Sequence, residues 1–194
     1  VKADGIKRVT DALRDRLNAA LSASGLPGTV FVGPLDDPGA AGAPLVLFLY
    51  RVVPNANLRN SEHRVLSASL PSSVQVFQNS LPLDLYFLLT IGSTPNSPDD
   101  SMLLGLGFAI QAIQEKPELT GSSVSQETVR LTFEPLSTEE ASRIWALFPT
   151  ANYRTSVAYL ATPVWIDPAT PAPVAGPVMQ QQLNAGHKAQ ELTQ

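Results

Sequence analysis

Residues 129–148 read VRLTFEPLSTEEASRIWALF, which is a strand followed closely by a helix. Val129, Leu131 and Phe133 alternate with Arg130, Thr132 and Glu134, the period of two that gives a strand one apolar side and one wet side. Ser137-Thr138-Glu139-Glu140 fits a capping box. In it the Ser137 hydroxyl takes an orphan backbone N–H and the Glu140 carboxylate reaches back to the N-cap. Ala141, Ile144, Trp145 and Phe148 then fall on one face of a short helix.

Moving toward the C-terminus, a last strand is expected from about Thr155 to Ile166. From Asp167 onward the apolar period stops, and Pro168, Pro171, Pro173 and Pro177 stand among Ala, Gly and Gln. Alone, such a composition favours an extended or disordered segment. The expected division is therefore a folded domain over 1–166 and a Pro/Ala-rich tail over 167–194.

Moving toward the N-terminus, Ser101 to Glu115 is expected to be a helix capped by Asp99 or Asp100. Met102, Leu103, Leu106, Phe108, Ile110 and Ile113 spread around much of its circumference, which predicts burial. Leu81 to Thr90 alternates, with Leu81, Leu83, Leu85, Phe87 and Leu89 on a dry face and Pro82, Asp84, Tyr86, Leu88 and Thr90 on a mixed one. Leu45 to Val53 is apolar almost throughout and predicts a strand covered on both faces. Between these two strands, Asn55 to Ser80 is a long polar stretch in which Val74, Val76 and Gln78 alternate and hint at a short strand. A strand is expected at Thr29 to Val32, followed by a turn-rich loop from Gly33 to Pro44. Ile6, Val9, Leu13, Leu17 and Leu21 predict an amphipathic first helix, stopped by Gly25-Leu26-Pro27-Gly28. The order helix, strand, strand, strand, helix, strand, helix, strand makes an α+β domain with a mixed sheet and packed helices.

Totals narrow the function. The 194 residues are one domain's worth, and 44% hydrophobic residues suffice for a core. Only 15% are charged, well under the roughly 25% of an average soluble domain. More of the surface is therefore available for burial against partners. The net charge of -4 and the absence of a basic stripe argue against nucleic acid. No apolar run approaches the roughly 18 residues that span a bilayer, so no membrane partner is expected. With no cysteine there is no disulfide, thiolate or zinc–sulfur site. The start, Val1-Lys2-Ala3-Asp4, has neither a signal-peptide pattern nor an initiator Met, so residues are expected upstream.

Chemical motifs are scarce. His63, beside Glu62 in the polar stretch, and His187 in the tail read as solvated histidines, with no ligand spacing that would build a metal site. No serine sits in a GxSxG elbow. The pairs Asp36-Asp37, Asp99-Asp100 and Glu139-Glu140 have local accounts as turn formers, helix caps or first-turn dipole partners. Gly105-Leu106-Gly107 lacks the third glycine of a dinucleotide fingerprint and reads as close packing of a helix on the sheet. Trp145 and Trp165 fall in core-type periodicities. No cofactor is expected.

Four stretches taken in order resemble one known family: LFLYRVVPNANLRN (Leu47 to Asn60), LPLDLYFLLT (Leu81 to Thr90), VRLTFEPLSTEEASRIWALF (Val129 to Phe148) and YRTSVAYLATPVWID (Tyr153 to Asp167). The family is the N-terminal domain of cap proteins from extracellular contractile injection systems, relatives of phage tails. The resemblance implies a tail-terminator-like α/β module without catalytic residues. Its copies would form a ring, a hexamer, closing the distal end of the inner tube and contractile sheath. The chain would then sit in the bacterial cytoplasm as part of an assembled particle, to be released with it.

A cap must match the exposed end of a stack on one side and offer nothing complementary on the other; strand addition and apolar burial, shared around a ring, would supply adhesion. The chain departs from the family in an enlarged stretch from Ser61 to Ser80 and in its tail. Candidate partner contacts are Asn55, Asn57, Leu58, Arg59 and Asn60 in one polar turn, Arg14 and Arg16 on the first helix, and Pro168, Pro171, Pro173 and Pro177. An Asn-rich turn arises equally because Asn tolerates left-handed backbone. Two other readings remain open: an assembly adaptor or chaperone that leaves the particle, and a hydrolase using His63.

Overall fold

In the computed structural model, which describes residues 3–66, 74–92 and 99–171, three helices pack on the two faces of one six-stranded sheet. Helix α1 spans Gly5–Ala23 and buries Val9, Leu13, Leu17, Ala20 and Leu21. Gly25, at φ 73°, ends it. The Leu26 amide reaches back to the Leu21 carbonyl at 3.2 Å and the Gly25 amide to that of Ser22 at 3.2 Å. That pair of bonds is a Schellman stop, which needs a left-handed residue where Gly25 stands.

Strand β1 (Phe31–Val32) is shorter than expected and runs parallel to β2 (Leu45–Pro54). Every other pairing is antiparallel. The sheet order is β1-β2-β5-β8-β7-β6, with β5 at Leu81–Ile91, β6 at Glu118–Leu119, β7 at Val129–Glu134 and β8 at Ser156–Ile166. The expected mixed sheet is thus present. Strands β6 and β3 (His63–Leu66) were not foreseen; β3 forms a separate hairpin inside the polar stretch with β4 (Val74–Phe77), the strand at which Val74 and Val76 hinted.

The sheet separates two cores. Leu45 and Leu47 of β2, Leu85, Phe87 and Leu89 of β5, and Tyr159 and Ala161 of β8 meet α1 and α2 (Asp99–Glu115) on one side. On the other, Val46 and Leu88 meet Leu35, Ala40 and, around α3 (Thr138–Trp145), Ile144, Trp145 and Phe148. The capping box forms as read: Glu140 N–H donates to Ser137 Oγ at 3.2 Å, and Ser137 N–H donates to Glu140 Oε2 at 2.9 Å. The Ser137 N–H, and the Ser137 hydroxyl that donates to the same Oε2 at 2.7 Å, hold the Glu140 carboxyl below its usual range.

Several expectations are corrected. Strand β2 is covered on both faces only at Leu45–Leu47, while Arg51 and Val52 are exposed. The register slips between Leu49 and Arg51, a one-residue bulge that disrupts the ladder beyond the covered half. Leu81, at the end of the ladder, is exposed instead of sharing the dry face. Helix α2 starts at Asp99, so the two aspartates lie in its first turn, where Asp100 Oδ1 accepts the Ser101 amide at 2.8 Å. Leu103, expected inside, is exposed along with Leu104. Gly105 does mark a close approach, but to α1 and the turn that ends it: a Cβ there would come within 2.7 Å of Leu26 Cδ1 and 3.4 Å of Leu21 Cδ2.

Candidate functional site

The polar turn after β2 is a bracket. The Asn55 side chain donates from Nδ2 to Asp84 Oδ1 at 2.9 Å and to Thr162 Oγ1 at 3.2 Å. Its Oδ1 accepts the amides of Asn57 and Leu58, each at 3.0 Å. Asp84 lies at the register slip of β5, and the Thr162 hydroxyl donates to the same Oδ1. One residue thus ties the turn to two central strands, as Asx side chains do when they mimic a backbone turn. Asn55 and Leu58 are half-buried, which leaves Asn57, Arg59 and Asn60 projecting into solvent.

Arg14 and Arg16 are placed differently. Arg14 pairs with Asp11 at 3.2 Å and Asp15 at 3.0 Å on the wet side of α1. Arg16 turns onto its own chain, donating to the carbonyls of Lys116 and of Glu118, the latter at 2.8 Å. Pro168 is half-buried and Pro171 exposed. Pro173 and Pro177 lie outside the described residues, as does His187.

Two surfaces escaped the sequence reading. A groove of about 610 Å3 runs between the end of β7, α3 and the start of β8. Phe133, Trp145 and Tyr153 line it, and Phe133 and Tyr153 are 45% and 69% exposed. Only their convergence from three elements makes a groove, which no local period announces. Nearby, the half-buried Tyr50 and Tyr86 rings lie 6.1 Å apart, with the Arg51 guanidinium 5.0 Å over Tyr86. Burial first, then the Glu134 carboxylate, pushes the Tyr50 hydroxyl up to about 12. That phenol stays neutral and available as a hydrogen-bond donor.

His63 corrects the expectation of a solvated ring. It is 4% exposed, with Nδ1 2.7 Å from Asp167 Oδ1 and Nε2 3.1 Å from Glu127 Oε1. Ser80 Oγ donates to Asp167 Oδ1 at 2.8 Å. The serine therefore bonds the aspartate and not the imidazole, so the Ser-His-Asp relay that would activate a nucleophile is not assembled here. Among the described residues no group of three or more His, Asp or Glu side chains could hold a metal ion, and no helix is long and apolar enough to cross a membrane.

Residues 8–180 match the model of the Pvc16 N-terminal domain family. The chain belongs to that family. Two solved structures share the fold of this Pvc16 N-terminal domain. One is the sheath/tube terminator of PVC, an extracellular contractile injection system, in its extended state. It is 16% identical at a TM-score of 0.65, over 96% of this chain and 65% of that one. The other is the tube-terminating cap of the anti-feeding prophage, 18% identical at a TM-score of 0.63, over 90% of this chain and 59% of that one. The Pvc16-type chain therefore spans less than two thirds of either protein's length. No curated protein matches it.

Proposed function

We propose that this chain is a structural subunit that caps the distal end of a contractile injection particle, covering the last layer of inner tube and sheath. The observation that carries this reading is the family match over residues 8–180, and the shared fold with two terminators supports it. Copies associate into a ring, a hexamer. Free energy comes from covering another subunit's exposed end, with no bond made or broken. The exposed part of the Asn55–Asn60 turn, the Arg14 side of α1, the groove at Phe133 and Tyr153 and the Pro-rich tail from Pro168 onward are the surfaces offered to sheath, tube and neighbouring copies. A low share of charged residues keeps the desolvation cost of such contacts small.

Particles purified from cells with and without this subunit test the reading. Ragged or overlong tails in its absence, and its presence in intact particles, are the expected results. An adaptor that leaves after assembly would instead be missing from finished particles whose lengths depend on it. Removing the residues after Asp167 should weaken attachment to particles while thermal stability changes little, and loss of folding would refute the tail's role as an arm.

A further inference from the structure

The β3–β4 hairpin is a two-stranded sheet of its own, from His63 paired with Phe77 to Leu66 paired with Val74. An isolated hairpin of that size is marginal in water and needs outside support. His63 supplies it. Its ring stacks on Trp165 of β8 at 4.5 Å between centroids and 8° between planes. Both ring nitrogens lie beside carboxylates: Nδ1 is hydrogen-bonded to Asp167, just past β8, and Nε2 lies 3.1 Å from Glu127 Oε1, in the loop before β7, a charge contact out of line for a hydrogen bond.

Only the imidazolium has a proton on each nitrogen. A neutral ring could donate to one carboxylate but would turn a lone pair toward the other, inside a buried site. Among the described residues, the other charges flanking this site are already engaged. Glu62 and Arg64, flanking His63, pair with each other at 3.0 Å in solvent. Arg8 of α1, which lines a small cavity with Glu127 and Trp165, pairs with Asp4 at 2.6 Å. Asp167 also accepts from Ser80.

We propose that the hairpin is a detachable arm, clasped to the domain while His63 is charged between Asp167 and Glu127 and released when that proton leaves. Release uncovers the Trp165 ring face and frees both strands of the hairpin. Burial works against the charged ring, but the Glu127 and Asp167 carboxylates together outweigh it and raise the His63 pKa above its ordinary 6.5. Asp167 is pushed up by burial yet held low overall by its donors, the chain's N-terminal amine first, then Ser80 and His63. A raised histidine pKa stabilises the clasped state fully below about 6.5 and loses that contribution as pH climbs through the folded-state value. The arm therefore opens on the alkaline side.

Hydrogen exchange of the full chain from pH 6 to 9.5, corrected for the intrinsic pH dependence of amide exchange, reads the clasp directly. Amides of residues 63–66 and 74–77 should lose protection by up to about tenfold per pH unit between about 6.5 and the clasped-state His63 titration, the slope of one linked proton, and level off above it. Amides of β5 should not change. Glu127→Gln removes one anion and should move the opening to lower pH, and His63→Gln should leave the hairpin open already at pH 6. NMR of the His63 ring, with His187→Gln to leave a single histidine, locates the titration independently. A hairpin whose protection ignores pH while His63 visibly titrates, or a midpoint unmoved by Glu127→Gln, overturns the proposal. If Glu127→Gln does not fold, as loss of β5 protection would show, the pH series on the unaltered chain still decides.

Discussion

Replacing Trp145 by alanine asks whether α3 is held by its indole or merely rests on the sheet. The ring is 7% exposed and makes tilted or edge contacts with Tyr153 at 5.2 Å and Phe148 at 6.1 Å. Its Nε1 donates to Ser156 Oγ at 3.3 Å, joining the helix to the first residue of β8. A large aromatic hides about 150–250 Å2, and at ~25 cal/mol per Å2 that burial is worth roughly 4–6 kcal/mol. Alanine keeps part of it. The space left opens into the groove, so water can enter it and Ser156 can find a new partner. The low end of the ~3–5 kcal/mol range for such truncations, about 3 kcal/mol, is therefore expected. For a chain of this size that lowers Tm by roughly 6–12 °C. Urea unfolding followed by circular dichroism should show a lower midpoint at unchanged slope. Trp145→Phe should retain most of the stability. A loss under about 1 kcal/mol for Trp145→Ala would refute the idea that this ring anchors α3.

Further outcomes follow from the same geometry. Asn55→Ala leaves Asp84 and the amides of Asn57 and Leu58 short of partners, and should cost about 1–3 kcal/mol in denaturant unfolding. Gly92→Ala would place a Cβ 1.7 Å from the Ala43 carbonyl oxygen, a backbone atom that cannot step aside. Its soluble yield and melting temperature should fall sharply, whereas Gly107→Ala, facing open space within α2, should be neutral or slightly stabilising. Ser137→Ala removes the α3 cap and should cost about 1 kcal/mol by the same unfolding assay.

Where the chain keeps its local period, the fold was legible. The capping box at Ser137, the three-and-four spacing from Ile6 to Leu21 and the alternation in β5 and β7 each reflect interactions within a few residues. The misreadings occur where distant residues decide. A run of apolar residues in β2 says nothing about the slip at Tyr50 or about how far the neighbouring helices reach, so Val52 looked buried and is not. Leu103 fits an apolar helix face that the described residues leave uncovered. His63 sits in a polar sequence, but its environment is made by Asp167, 104 positions away, and by Glu127. The candidate surfaces divide in the same manner. The exposure of Arg59 and Asn60 followed from composition, while the Phe133, Trp145 and Tyr153 groove exists only once three elements have packed.

Strand β5 is flanked along nearly its whole length by antiparallel neighbours, β2 on one side and β8 on the other. Tension applied lengthwise to that strand loads both ladders in shear, so their hydrogen bonds must fail together. Tension applied crosswise unzips them one at a time. Resistance to pulling in this domain is therefore directional, and the orientation in which it is gripped sets how hard a moving neighbour can tug before the sheet gives way.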